Sequence, residues 1–143
     1  MIVRHVGITV SDLQKSIDFY KDLLGFTMVR EMDESGEHID NFSGIEGVNV
    51  RTVKMAGKEG AMIELLYYRS HPEANEENFL ENITKIGCSH FALTVSDLSS
   101  LYSKLLENKY IVMCEPQYSP DGKVKLTFCR DPDGTLIELV EEL

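Results

Sequence analysis

The sequence predicts an α+β fold made of two similar halves, each running strand, helix and then about three strands. Three observations predict it. HVGITVSDL at residues 5–13 recurs as HFALTVSDL at residues 90–98, an offset of 85. AMIELLYY at 61–68 and GTLIELVEE at 134–142 close the two halves alike on Ile-Glu-Leu. The third is size: 143 residues, 43% hydrophobic and 27% charged, suit one ordinary domain that buries roughly two-thirds of its unfolded surface. The expected organisation is a single domain over 1–143, with a first module at 1–68, a linker at 69–87 and a second module at 88–143.

In each opening segment a period-two alternation gives a strand. The Ser-Asp-Leu that follows, with apolar residues at helical spacing, gives a helix. Leu13, Ile17, Tyr20 and Leu24 mark the first helix, and Leu98, Leu101 and Leu105 the second. Ser11 or Asp12 caps the first and Ser96 or Asp97 the second, because a short side-chain oxygen accepts the free N–H groups of a first turn. Gly25 supplies a left-handed stop.

His5 and Glu64 are 59 residues apart and His90 and Glu138 are 48 apart, so the first half carries 11 extra residues. These are placed in the polar stretch Asp33–Gly47 as a loop or short helix. Later strands are expected near 48–56 and 61–67, and near 111–114, 123–130 and 135–141. The linker contains His71-Pro72 and a short helix expected over 77–83. Asp131-Pro132-Asp133-Gly134 reads as a turn, with Pro where its fixed φ suits and Gly where φ is positive.

Charge narrows the function classes. Twenty-four acidic residues against 14 Lys plus Arg leave a net charge of −10, which disfavours a nucleic-acid binder or a membrane-surface role. No apolar run approaches the roughly 18 residues of a membrane span, and MIVRHVGITVSD enters a strand pattern without the apolar core of a signal peptide. The expected location is cytoplasmic. Cys88, Cys114 and Cys129 are odd in number and lack a CxxC spacing, so buried free thiols are expected rather than disulfides or a Cys-based zinc site.

Strand alternation assigns faces, and faces bring in chemistry. Val6, Ile8 and Val10 oppose His5, Gly7 and Thr9; Phe91, Leu93 and Val95 oppose His90, Ala92 and Thr94. Ile63 and Leu65 oppose Glu64, and Ile137 and Leu139 oppose Glu138. Two imidazoles and two carboxylates therefore sit on the faces turned away from the helices, at matched places in four strands. If the two sheets curve together, these four form a mixed N/O site that suits a six-coordinate divalent ion and leaves two positions for water or for two substrate oxygens. A lone His or Glu on a strand is usually solvent-facing or hydrogen-bonded. The doubling changes the weighting, because a structural repeat alone has no need to keep an ionisable residue at one inward place in both halves.

Other residues have plainer expected roles. His38 and His71 read as exposed loop residues. Arg51, Lys54, Lys123 and Lys125 lie on later strands and could meet an anionic substrate, but scattered cations on an acidic protein read first as solvated surface. Met28, Met55, Met62, Met113, Phe128 and Tyr67 could line a pocket, with core packing expected for most.

HVGITVSDLQKSIDFYKDLLGF and FCRDPDGTLIELVEEL resemble the opening and closing signatures of the vicinal-oxygen-chelate superfamily, the glyoxalase, bleomycin resistance and dioxygenase group. The resemblance spans nearly the whole chain and is to glyoxalase I-like single-domain members. It implies two βαβββ modules forming an open, barrel-like cup, with His5, Glu64, His90 and Glu138 as ligands of one divalent ion, Ni, Zn, Co, Mn or Fe. It implies a small-molecule substrate; a homodimer is expected from the paired modules, because two open half-barrels leave sheet edges and apolar surface that a symmetric partner can cover.

The implied activity is that of a lactoylglutathione lyase-like lyase or isomerase: a metal-held enediolate forms when a proton leaves the carbon next to a carbonyl. Glu138 is the implied base, with Glu64 second. Four ligands set the chain apart from three-ligand dioxygenases, and Glu64 stands where methylmalonyl-CoA epimerases typically carry Gln. Thr9 stands where glutathione-dependent members usually carry Arg, and Tyr67-Tyr68 where they tend to show Asn. The resemblance thus implies the reaction class more directly than the thiol. The alternatives are a methylmalonyl-CoA epimerase-like isomerase, a ferrous extradiol-type dioxygenase and a non-catalytic small-molecule-binding protein.

Overall fold

The computed structural model describes residues 2–71 and 86–143; the helix expected over 77–83 lies outside them. The chain divides into two units, Met1–Glu76 and Glu77–Leu143. In the first, β1 (Val6–Thr9) leads into α1 (Leu13–Asp18), which continues as a π-helical turn, Phe19–Leu23. Asp12 caps α1 through an Oδ1 that accepts from Lys15 N at 3.0 Å, and Gly25 at φ +74° stops the helix as expected. Next come β2 (Thr27–Ser35), α2 (Glu37–Ser43), β3 (Asn49–Ala56) and β4 (Met62–Tyr68). The extra residues of the first half do form a short helix. It is tied down by Asp40, whose carboxylate accepts from Gly47 N and Val48 N, both at 2.8 Å.

The second unit runs β5 (Phe91–Thr94), α3 (Leu98–Glu107), β6 (Gln117–Tyr118), β7 (Val124–Arg130) and β8 (Leu136–Glu142). Asp97 Oδ1 caps α3 by accepting from Ser100 N at 2.9 Å. The strand expected at 111–114 is corrected. That segment makes an isolated bridge, Val112 to Cys129, and the regular strand comes later at Gln117–Tyr118. The expected turn forms: Gly134 N donates to the Asp131 carbonyl, Asp131 Oδ1 accepts from the Asp133 and Thr135 amides, and Gly134 takes φ +92°.

Each unit holds a four-stranded mixed sheet, with orders β1-β4-β3-β2 and β5-β8-β7-β6. In both, the opening strand runs parallel to the closing one, and the closing strand pairs antiparallel with the one before it. A parallel neighbour requires a crossover, and α1 and α3 supply it. α1 packs on β4 and α3 on β8. The strand residues beneath them are apolar because alternate residues of a strand share a face: Ile63, Leu65, Val53 and Met55 are buried in the first unit, and Ile137 and Leu139 in the second, where Leu98 and Leu105 of α3 are buried too. Each such side chain contributes about 1.5–3 kcal/mol on burial.

β2 was not legible in the sequence. Nearly all of Thr27–Ser35 is exposed at the sheet's edge, so it lacks an apolar alternation to betray it. Two further expectations are corrected by exposure. Cys129 is buried, but Cys88 and Cys114 are exposed. Met55 is in the core, whereas Met28 and Met113 stand 45% and 52% exposed, on an edge strand and in the irregular segment before β6 respectively.

Candidate metal centre

The two repeated pairs of residues are built the same way. In the first unit Gly7 of β1 is opposite Glu64 of β4, and His5 lies two residues before Gly7. In the second, Ala92 of β5 is opposite Glu138 of β8, with His90 two residues before it. The parallel pairing brings each imidazole to its carboxylate: His5 Nε2 is 3.1 Å from Glu64 Oε2, and His90 Nε2 is 3.2 Å from Glu138 Oε2. All four side chains are partly buried, at 15–30% exposure. The flanking Ile63, Leu65, Ile137 and Leu139 point the other way, into the core.

The four predicted ligands are thus presented as two pairs, one in each unit. Among the described residues no three His, Cys, Asp or Glu side chains gather into a metal-sized cluster. The donor set nevertheless fits a divalent ion. Ligand atoms about 2.1 Å from one ion and at right angles to one another lie about 3.0 Å apart, close to both observed N···O separations. Imidazole nitrogen with carboxylate oxygen suits the borderline ions of the first transition row.

The surroundings of the two pairs differ. Ser89 Oγ lies 2.8 Å from His90 Nδ1, which fixes the ring and directs Nε2 to the carboxylate. The Phe128 ring meets that of His90 edge-on at 5.2 Å. Beside Glu64 stands Lys54, with Nζ 3.4 Å from Oε1. Both oxygens of Glu64 are therefore engaged, while Glu138 Oε1 has no partner among the described residues.

Lys54 is a correction: it is part of the Glu64 site and not a scattered surface cation. Arg51 and Lys125 are paired, Arg51 to Glu31 at 2.6 Å and Lys125 to Glu141 at 2.7 Å, each raised in pKa first of all by that hydrogen bond. Lys123 reaches Asp121 at 3.8 Å. His38 is exposed on α2 and not in a loop, and His71 is exposed beside Ser70. Neither approaches the pairs by any described contact. Ser89 was missed although it is the immediate neighbour of His90 in the sequence. Phe128 was weighed as a pocket residue, but its place opposite Glu138 needs the strand register.

This duplicated order of strand, helix and three strands agrees with comparison against known proteins. Residues 2–139 match the family model of the Glyoxalase/Bleomycin resistance protein/Dioxygenase superfamily. The chain belongs to this superfamily. Among its relatives is a probable lactoylglutathione lyase of Synechocystis sp., 35% identical over 99% of this chain and 95% of that one. A mitochondrial methylmalonyl-CoA epimerase of Dictyostelium discoideum is 32% identical over 98% of this chain and 78% of that one. The crystal structure of a glyoxalase family protein from Bacillus cereus shares the fold, with a TM-score of 0.87 at 24% identity over 99% of this chain and 93% of that one. As a superfamily member the chain is glyoxalase-like, and among the described residues no helix is long and apolar enough to cross a membrane.

Proposed function

We propose that this chain is a metal-dependent lyase or isomerase of the glyoxalase I type, which moves a proton on the carbon next to a substrate carbonyl. His5, Glu64, His90 and Glu138 hold one divalent ion in this reading. The observation that carries it is the doubled contact, imidazole Nε2 to carboxylate Oε2 at 3.1 and 3.2 Å, at one register position in both units. Relatives named for a lactoylglutathione lyase and a methylmalonyl-CoA epimerase support a lyase or an isomerase.

A divalent ion held by these residues would supply Lewis-acid stabilisation of the negative charge that develops as the proton leaves. The remaining work falls to side chains. Glu138 is the base: its Oε2 lies 3.2 Å from His90 Nε2, where the ion would be shared between them, and Oε1 is open to receive a proton and return it to the same or the neighbouring carbon. Glu64, held at Oε1 by Lys54, keeps its place. Ser89 and Phe128 keep the His90 ring oriented. Ile137 and Leu139, buried on either side of Glu138, fix its strand.

The test is deuterium incorporation from heavy water into hemithioacetal and acyl-CoA substrates, read by mass spectrometry. Wild type should exchange the carbon-bound proton without consuming oxygen. Glu138→Gln should slow exchange about 10²–10⁴-fold, the range for loss of a general base, while losing less in metal binding. Exchange on acyl-CoA but not on hemithioacetals would assign an epimerase. Undiminished exchange in Glu138→Gln would remove Glu138 as base, and oxygen-dependent catechol cleavage without exchange would overturn the reaction class.

A further inference from the structure

We infer that the Glu64-bearing face of the first sheet carries an anion subsite, formed by Lys54 and Arg30, that takes a carboxylate or phosphate group of the substrate. The inference rests on the proposed role of Glu64 and adds a substrate class to it.

Strand register sets out the residues. Gly7, Glu64, Lys54 and Arg30 stand in one row across β1, β4, β3 and β2, each directly opposite the next. Directly paired residues project from the same face, so both cations share the face of Glu64. With strands about 4.8 Å apart, their backbones lie one and two strand spacings from that of Glu64. An anion between the two cations would lie next to the proposed metal centre.

A bulge places Arg30 in this row. Met28 pairs with Met55, but the register then shifts, and Arg30 rather than Val29 pairs with Lys54. In an unbroken ladder Val29 would face Lys54 and Arg30 would fall on the opposite face with Val53. Bulges recur beside active sites because they re-aim a side chain in this way. The same shift sends Glu31 and Asp33 to the other face, opposite Val53 and Arg51, so the acids nearest Arg30 in the chain are turned away from it. Glu34, the acid of β2 on the same face, is paired further along with Val50.

The strand-borne cations outside this row are engaged, Arg130 by the Gly134 carbonyl. Arg51 is held by Glu31 and Asp33, Arg69 by Asp33, and Lys125 by Glu141. Arg30 is exposed and makes no ion pair or hydrogen bond among the described residues, and the described partner of Lys54 is Glu64. In the second unit the matching row, Ala92, Glu138 and Phe128, carries no cation. A chain of net charge −10 therefore keeps a positive pair beside one carboxylate and not the other. An anionic group can satisfy both cations through charge-assisted hydrogen bonds.

The experiment titrates sodium phosphate and, separately, sodium succinate into the full chain after chelation of metal, following amide shifts by NMR at low salt. Binding should shift residues of β2 and β3 and weaken as salt is added. Arg30→Gln and Lys54→Gln should each weaken it about tenfold, the worth of one charge-assisted hydrogen bond, whereas Arg51→Gln should leave it unchanged. A preference for succinate assigns a carboxylate group, and a preference for phosphate a phosphate group. In the metal-loaded enzyme Arg30→Gln should raise KM for an anionic substrate more than it lowers kcat, and Arg30→Lys should recover part of the loss. Equal binding by wild type and Arg30→Gln, or no binding by wild type, overturns the subsite. Proton exchange with an unchanged KM in Arg30→Gln does so too while leaving the proposed reaction standing; anion binding without proton exchange does the reverse.

Discussion

Lys54 and Phe128 occupy the same register position in the two sheets, Lys54 directly opposite Glu64 and Phe128 directly opposite Glu138. The backbone scheme is duplicated and the chemistry is not. One carboxylate is clamped between an imidazole and an ammonium, while the other keeps an open oxygen beside an imidazole that rests on an aromatic edge. A duplicated scaffold has in this way given its two carboxylates different surroundings.

Replacing Phe128 with Leu should loosen the His90 ring without removing a ligand. Edge-to-face aromatic contacts are worth about 0.5–1.5 kcal/mol, so metal affinity should fall about two- to tenfold, read by competition with a chelating dye. Unchanged affinity with an intact circular dichroism spectrum would show that the ring contact does not orient His90.

Ser89→Ala removes the oxygen 2.8 Å from His90 Nδ1. Loss of a partner that orients a ligating imidazole typically costs about 10–100-fold in metal affinity, and that loss is expected here. Ser70→Ala, beside exposed His71, should change nothing in the same titration.

Much of the architecture is legible in the sequence because the repeat and the alternation both follow from burial. Val6, Ile8 and Val10 against His5, Gly7 and Thr9 assign the first strand's faces, and Ile8 and Val10 are indeed buried. The Ser-Asp-Leu signals locate both caps, at Asp12 and Asp97. β2 was hidden because an exposed edge strand buries almost nothing and leaves no period in hydrophobicity. Arg30 was hidden for a sharper reason: simple alternation from Met28 puts Arg30 on the wrong face, and only the bulge corrects it. Lys54 looked like surface charge because the pairing of β3 with β4 that brings it to Glu64 is a fact of register, which spacing along one strand does not reveal.

The thiols should separate by burial. The Cys129 thiol is pushed up to about 12 by burial, with the nearby Asp131 charge adding to the effect, so little thiolate forms at neutral pH. Ellman's reagent should titrate Cys88 and Cys114 in the native protein and all three only in denaturant. Rapid native reaction of Cys129, identified by peptide mapping, would contradict the packing of β7.

Lys125 and Glu141 tie β7 and β8 to the start of α3, since Glu141 Oε2 also accepts from Leu98 N at 3.2 Å. The Lys125 hydrogen bond holds the Glu141 carboxyl below its ordinary range. A lowered carboxylate contributes stability above its unfolded pKa, and that contribution is lost as pH falls through the folded value. The wild-type Tm should therefore drop more steeply below about pH 4, the ordinary Glu value, than that of Lys125→Met, which should already be less stable at neutral pH. Parallel curves would show that the pair adds nothing.

Metal binding by single histidine variants tests the central claim most directly, that the repeated His and Glu pairs are the ligands of one ion. Elemental analysis after reconstitution should find one divalent ion per chain in the wild type, in His38→Ala and in His71→Ala, with strong loss in both His5→Ala and His90→Ala. Full metal content in His5→Ala and His90→Ala, or loss confined to His38→Ala or His71→Ala, would contradict the account.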